Sequence, residues 1–471
     1  MKAGVYKNYL LIVLLVILAF NSVDGLALGL VLQDIKVDLS LTDSQLGLLS
    51  GIAFALFYSI MGIPIARWAD RGNRVTIISL TTAVWSVMVA LCGFAASFAQ
   101  LMLIRIGVGV GEAGCVPPAH SLMADYFARA ERPRAVSIYM QGNTLSFVIG
   151  YFVAGWLNEW YGWRTAFILL GLIGLVPAAL ARFTLTEPRR AKIAADAPGS
   201  VASTPLSPSA AAALPPAAMS LKVVCSVLWA STTFRHLLYS FAAVYFFSSG
   251  ISQWTPTFFT RSYGLKTGEV GTWFMMIYGV GGMLGMYVGG EWASRRAADN
   301  ERLQLRAIAI VYCAYTMLST IIYLSPNHYL AFAMMGLGSV VSSLTVGPLF
   351  ATIQSLVPPR MRAMSIAIIY LFANLIGLGL GPLAVGALSD ALRPLLGVES
   401  LRYALLALCP GYLWVAWHLW RAGESVTRDL AAVDRETSTA APKSTTDEEC
   451  VDACPNQGIY ACRPHSVESA D

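Results

Sequence analysis

Polar residues punctuate this chain. Apolar runs recur from near its start to about position 420, and short charged connectors divide them. Runs 9–23, 75–104 and 307–357 hold no Asp, Glu, Lys or Arg. Crossing the hydrocarbon of a bilayer takes about 20 residues. Without water, the backbone there must satisfy its own hydrogen bonds, which a helix does. The runs therefore predict spanning helices, and the two longest hold two crossings each, divided at 97–100 and 325–327. The result is twelve helices at about 9–32, 44–66, 75–97, 100–124, 135–157 and 164–185, then 234–258, 269–291, 306–325, 328–354, 363–389 and 400–420.

Composition supports an all-α membrane protein: 56% of residues are apolar and 13% charged, against about 25% charged in soluble proteins. The net charge of +5 does not point to nucleic acid, because the cations sit in connectors. They also alternate. Arg67, Arg71 and Arg74, Arg129, Arg132 and Arg134, Arg189, Arg190 and Lys192, Arg295, Arg296 and Arg302, and Arg360 and Arg362 fall on one side. The other side holds scattered cations such as Lys36, Arg164, Arg261, Lys266 and Arg393. Cytoplasmic loops carry the excess, so both termini and the central loop are expected in the cytoplasm of a cell whose inner membrane holds the chain. The first apolar run is too long for a signal peptide and reads as the first span.

The expected organisation is a first six-helix bundle over 1–185, a linker over 186–233, a second bundle over 234–422 and a disordered tail over 423–471. The linker is rich in Ala, Pro and Ser, and 219–229 in it suits a helix lying on the membrane surface. Cys92, Cys115, Cys225, Cys313 and Cys409 read as packing residues. Cys450, Cys454 and Cys462 with His465 lack a standard zinc spacing, so no metal is expected and the tail thiols read as free.

The two bundles repeat each other. Leu41-Thr-Asp-Ser-Gln-Leu-Gly47 aligns with Leu265-Lys-Thr-Gly-Glu-Val-Gly271, and Ala66-Arg-Trp-Ala-Asp-Arg71 aligns with Gly290-Glu-Trp-Ala-Ser-Arg295 at the same offset. Arg134-Ala-Val-Ser-Ile138 and Arg362-Ala-Met-Ser-Ile366 follow at nearly that spacing. Parallel six-span repeats describe the major facilitator architecture.

Ala66–Arg74 resembles the signature loop of the major facilitator superfamily, Gly-x-x-x-Asp-Arg-x-Gly-x-Arg. Asp70, Arg71 and Arg74 match, Ala66 replaces the first glycine, and Ser294 replaces the acid in the second copy. The resemblance implies a cytoplasmic gate at Asp70, Arg71 and Arg74, with Arg134 beside it. Asn21-x-x-Asp24, Arg105-x-x-x-Gly109-x-Gly111-Glu112 with Pro117-Pro118, and Trp254-x-Pro256 followed by Arg261-Ser-x-Gly264 are similar to the Spinster-type branch. That branch exports sphingosine-1-phosphate or lysophospholipids in animals. Gly25 stands where the branch has an arginine, so one cation of its anion site is missing.

Ionisable residues deep within spans are costly and mark function. Asp24 in the first span and Arg105 in the fourth come to similar depth, and an ion pair between them is geometrically reasonable. Glu112 lies two turns beyond Arg105 on the same helical face. Because arginine stays charged while a desolvated carboxylate titrates, the three suit proton coupling. The alternative is a permanent Asp24–Arg105 bridge that fixes packing. Arg105, Glu112, Asn21, Tyr139, Asn143, Gln253, Trp254, Tyr278, Tyr370 and Asn374 are the candidate substrate-lining residues. His120 is a lesser coupling candidate.

No phosphate-binding Gly-x-x-x-x-Gly-Lys-Ser/Thr loop and no nucleophile–base arrangement is present, so an enzyme is not expected and no cofactor is called for. The chain reads as a monomeric, proton-coupled secondary transporter of a lipid-like or amphipathic anion. Small organic acids or sugar phosphates as substrates, or a non-transporting sensor on the same fold, are the alternatives. A sugar phosphate would want more than one cavity cation, and only Arg105 is clearly placed inside.

Overall fold

The computed structural model describes residues 3–128, 131–188, 226, 228–296, 300–345, 349, 352–353, 356 and 362–439. The rest of the linker and of the Cys-containing tail lie outside the described residues, as does nearly all of 219–229.

Helices follow each of the twelve expected spans. The first span is Ala3–Asn21 continued by Val23–Leu39, and the second is Asp43–Ser50 continued by Ile52–Arg71. The third is Arg74–Cys92, and the fourth is Phe98–Glu112 followed by Val116–Tyr126. The fifth begins with Arg132–Phe147 and runs on into Ala154–Thr184. Gly162, at φ 80, turns the chain inside that last helix and so separates the fifth span from the sixth. Only a residue without Cβ takes that conformation cheaply.

The second half repeats the plan. Its spans are Thr232–Tyr263, then Thr267–Phe274 through Gly282–Arg296, Glu301–Leu324 and His328–Ser343. Arg362–Phe372 through Gly379–Leu396 and Ser400–Leu408 through Gly411–Thr439 complete it. The last helix corrects the expected tail, because it continues to Thr439 rather than ending near 422. Asp429 explains part of this: its carboxylate accepts bonds from Ser231 Oγ at 2.8 Å and the Thr233 N–H at 2.9 Å, tying the extension to the start of span seven.

Backbone irregularities repeat as well. π-Helical turns interrupt span five at Val148–Val153, span eight at Met275–Gly281 and span eleven at Ala373–Leu378. Span two instead breaks at Gly51. Carried forward by the offset that joins Leu41 to Leu265, Gly51 meets Met275, the first residue of the π turn in span eight. All four irregularities sit where the halves touch, and π turns gather at functional sites. At Gly51 an added Cβ would stand 2.3 Å from the Gly379 carbonyl oxygen, so spans two and eleven meet backbone to backbone.

Hydrogen bonds and ion pairs joining the halves cluster at the end that carries connections 40–42, 93–97 and 264–266. On the orientation expected from the arginine bias, this end is called the outer end. Asn158 donates to Thr267 Oγ1 at 3.0 Å, and Glu159 Oε2 accepts from the Gly268 N–H at 3.1 Å. Trp156 donates to Thr272 Oγ1 at 3.2 Å. The halves are thus closed together at this end.

A buried carboxylate–arginine triad and two ion-pair clamps

Local helix breaks build the central site. The first span kinks at Ser22, which makes Asp24 a first-turn residue of Val23–Leu39. The partial positive charge of a helix start favours a carboxylate there. The fourth span breaks at 113–115, directly after Glu112. Pro117 and Pro118 cause this, since neither has an N–H to continue the preceding helix. The freed Glu112 carbonyl accepts from the Cys115 N–H at 3.2 Å and from Asn21 Nδ2 at 3.5 Å. Gly111 lets the fourth span sink onto the third, for its added Cβ would fall 2.7 Å from Trp85 Cβ.

The structure therefore brings Asn21, Asp24, Arg105 and Glu112 into one cluster, none more than 7% exposed. Arg105 Nη1 donates to Asp24 Oδ2 in an ion pair, and its guanidinium lies 5.7 Å over the Phe54 ring. Glu112 has Asp24 and Arg105 as charged neighbours, and its Oε1 has no hydrogen-bond partner among the described residues. Among the described residues Arg105 thus pairs with Asp24, and Glu112 is a second buried carboxylate beside the pair. Beside Asp24, Trp85, Ser86 and Gly171 line a cavity of about 10 Å³, at the lower limit for one water.

The other candidates divide. Tyr139 and Trp254 are fully buried, so neither can line an open cavity. Tyr139 packs edge-on against His120, and Trp254 donates to the Pro382 carbonyl at 2.9 Å. In this conformation each fills a helix contact. Tyr278 stacks on Phe147 and Tyr151 of the other half, with centroids 5.9 Å away in both cases. Gln253 is half-buried against Gly29 of the first span. Asn143 is exposed, Tyr370 is 37% exposed and Asn374 half-buried, so these three keep open faces.

The signature loop resolves into parts. Arg74 is fully buried and clamps the first half internally. It pairs with Asp125 at 2.7 Å and with Glu187, and donates to the Ser121 carbonyl at 2.9 Å. Its own N–H donates to Glu187 Oε2 at 2.7 Å. This ties together spans three, four and six within one half, so Arg74 is a fixed tie there, not an element joining the halves. Breaking a buried pair by removing one partner costs about 3–5 kcal/mol. Glu187→Ala is accordingly expected to lower the thermal unfolding midpoint in detergent markedly, whereas Lys7→Ala, which loses an exposed pair with Glu131, should leave it near wild type. Arg71 and Arg134 are exposed and have no ion pair among the described residues. The side chain of Asp70 lies outside the described residues.

Sequence reasoning did not anticipate the second clamp, at the outer end. Asp43, 1% exposed, receives Arg261 through two bonds of 2.7 and 2.8 Å, Lys36 Nζ at 2.6 Å and Ser389 Oγ at 2.7 Å. Asp390 answers from span eleven, accepting the N–H groups of Asp43 and Ser44 at 3.0 and 2.7 Å. Asp43 lies within the repeated Leu41–Gly47 motif, and that was its one available signal.

Twelve spans in two related bundles, with a buried charge cluster between helices of the first, define a multi-pass membrane transporter rather than an enzyme. The Major Facilitator Superfamily model matches residues 12–417, and the chain belongs to that family. An MFS-type efflux pump of Mycolicibacterium smegmatis is 29% identical over 422 residues, 89% of this chain and 93% of the pump. Protein spinster homolog 1 of Xenopus laevis is 25% identical, over 85% of this chain and 78% of that protein. Among solved structures, an inward-facing, unoccupied bacterial homolog of the human lysosomal transporter Spinster superposes with a TM-score of 0.76. It is 28% identical and covers 90% of this chain and 98% of its own.

Proposed function

We propose that this transporter is proton-coupled and moves a lipid-like or amphipathic anion across the inner membrane by alternating access, with Arg105 as its switch. The observation that supports this is the buried Asp24–Arg105 ion pair with a second buried carboxylate, Glu112, beside it. With Asp24, Arg105 and Glu112 all charged, the cluster carries a net negative charge in a low-dielectric site, which is expensive. One proton makes it neutral. Interacting carboxylates take up that proton as a unit, so it belongs to the pair. When the proton sits on Asp24, Arg105 is free to bind an anionic group of the substrate.

Both termini lie in the cytoplasm on this reading, and the closed outer end makes the conformation inward-facing. Asp70 and Arg71 then belong to a cytoplasmic gate that assembles in the opposite state. Arg105 as the single midplane cation, with Tyr278, Tyr370, Asn143, Asn374 and Gln253 about it, suits an amphipathic anion better than a sugar phosphate. The likeness to an efflux pump and to Spinster relatives leans the same way.

The test is uptake into proteoliposomes under an imposed pH gradient, comparing lysophospholipids with small carboxylates. Wild type should move lysolipid in a gradient-dependent way, while Asp24→Asn and Glu112→Gln should lose that dependence. Saturable transport of small acids with no lysolipid response would overturn the substrate class. An unchanged pH profile in Asp24→Asn would overturn the switch.

A further inference from the structure

The outer clamp carries more positive charge than its carboxylates use. A cavity of about 320 Å³ opens beside it, lined by Gln33 and Lys36 from the first half and by Arg261 and Arg393 from the second. That volume falls within the range of about 300–1,000 Å³ typical of small-molecule sites. The carboxylates nearby are occupied. Asp43 faces Lys36 and Arg261 together, and Asp390 is taken up by the backbone N–H groups of Asp43 and Ser44 and by Ser44 Oγ. Glu399 pairs with Arg402 at 2.8 Å, and Asp38 pairs with Arg164 at 2.8 Å. Arg393 has no ion pair among the described residues and lies within electrostatic reach of Lys36. Three cations thus converge where two carboxylates answer them, leaving one positive charge over a polar cavity.

We propose that this cavity is an oxyanion site that exists only while the outer end is closed, and that a phosphate- or sulfate-type group bound there holds the halves together. Lys36 belongs to one half while Arg261 and Arg393 belong to the other, so parting the halves dismantles the site. A ligand that binds one state alone shifts the equilibrium toward it. Arginine forks match tetrahedral oxyanions, and the closed state would gain the contact that Arg393 lacks. The oxyanion can come from free inorganic phosphate or from a phospholipid headgroup, since the chemistry recognised is the same.

The full chain in phosphatidylcholine nanodiscs, spin-labelled at Phe94 and Tyr329, reports opening of the outer end. Both positions are exposed, at 67% and 58%, and neither lines the cavity. Titrating inorganic phosphate against chloride at matched ionic strength should raise the closed population. A second arm replaces part of the phosphatidylcholine with phosphatidic acid. At phosphate one hundred times its dissociation constant, the closed-to-open ratio should rise by about a hundredfold if only the closed state binds. Arg393→Ala should remove the response, while Arg393→Lys keeps part of it. Thermal unfolding of both variants checks that they fold. A response to either source that is lost in Arg393→Ala supports the site, and the responding arm names the source. Equal effects of phosphate and chloride with no effect of phosphatidic acid, or a response that survives Arg393→Ala, would overturn it.

Discussion

Arg105→Leu is expected to abolish transport and to destabilise the first half strongly. The substitution leaves Asp24, the ion-pair partner of Arg105, and the neighbouring Glu112 buried, at 3% exposure each, without that cation. Removing one partner of a buried pair costs about 3–5 kcal/mol, which should appear as a large drop in the thermal unfolding midpoint in detergent. Arg105→Lys separates charge from shape. A lysine restores the positive charge but not the planar fork, so it should recover most of the stability and little of the transport. A double-mutant cycle sharpens the reading. Adding Asp24→Asn to Arg105→Leu removes one stranded charge and should regain part of the lost stability, while transport stays absent. If Arg105→Leu folds normally and still transports, the triad is neither switch nor structural tie.

Asp43→Ala should open the outer end. Asp43 is the one acceptor common to Arg261, Lys36 and Ser389, and Arg261 and Ser389 belong to the opposite half. Truncating one member of a buried, hydrogen-bonded charge pair between partners costs about 2–5 kcal/mol. At 1.4 kcal/mol per factor of ten, the lower figure already shifts the closed-to-open ratio by roughly thirtyfold. Labels at Phe94 and Tyr329 should show a larger long-distance population than in wild type. Asp38→Ala is the control. Its pair with Arg164 lies within the first half and is about 40% exposed on both sides, so its loss should leave the distances alone. Unchanged distances in Asp43→Ala would mean that close packing, such as the Gly51–Gly379 contact, holds the outer end shut without the clamp.

The halves repeat in sequence and, more deeply, in backbone. The motif Leu41–Gly47 and its copy led to the repeat, but the matching break at Gly51 and π turn at Met275 have no residue signature that pattern reading detects. The fourth span breaks before Pro117-Pro118, yet its apolar pattern runs on from 100 to 124 because hydropathy is blind to a three-residue turn. Trp254 and Tyr139 show the other limit of pattern. An aromatic residue in a span has the same pattern whether it lines a cavity or fills a helix contact, and only the packing partner decides.

What the sequence by itself determined is the set of spans and their division into two related halves. The reason is that hydrocarbon imposes the same local demand on every stretch of about 20 residues, so length and polarity suffice to read it. Tertiary structure alone decided that Asp43 meets Arg261, that Arg74 is tied to Glu187, that Glu112 packs beside the Asp24–Arg105 pair, and that the halves close at the end carrying connections 40–42, 93–97 and 264–266. Each of these joins residues far apart in the chain. Such pairing depends on which helix faces meet and on which of two arrangements the halves adopt, and no local pattern of apolar and polar positions carries either.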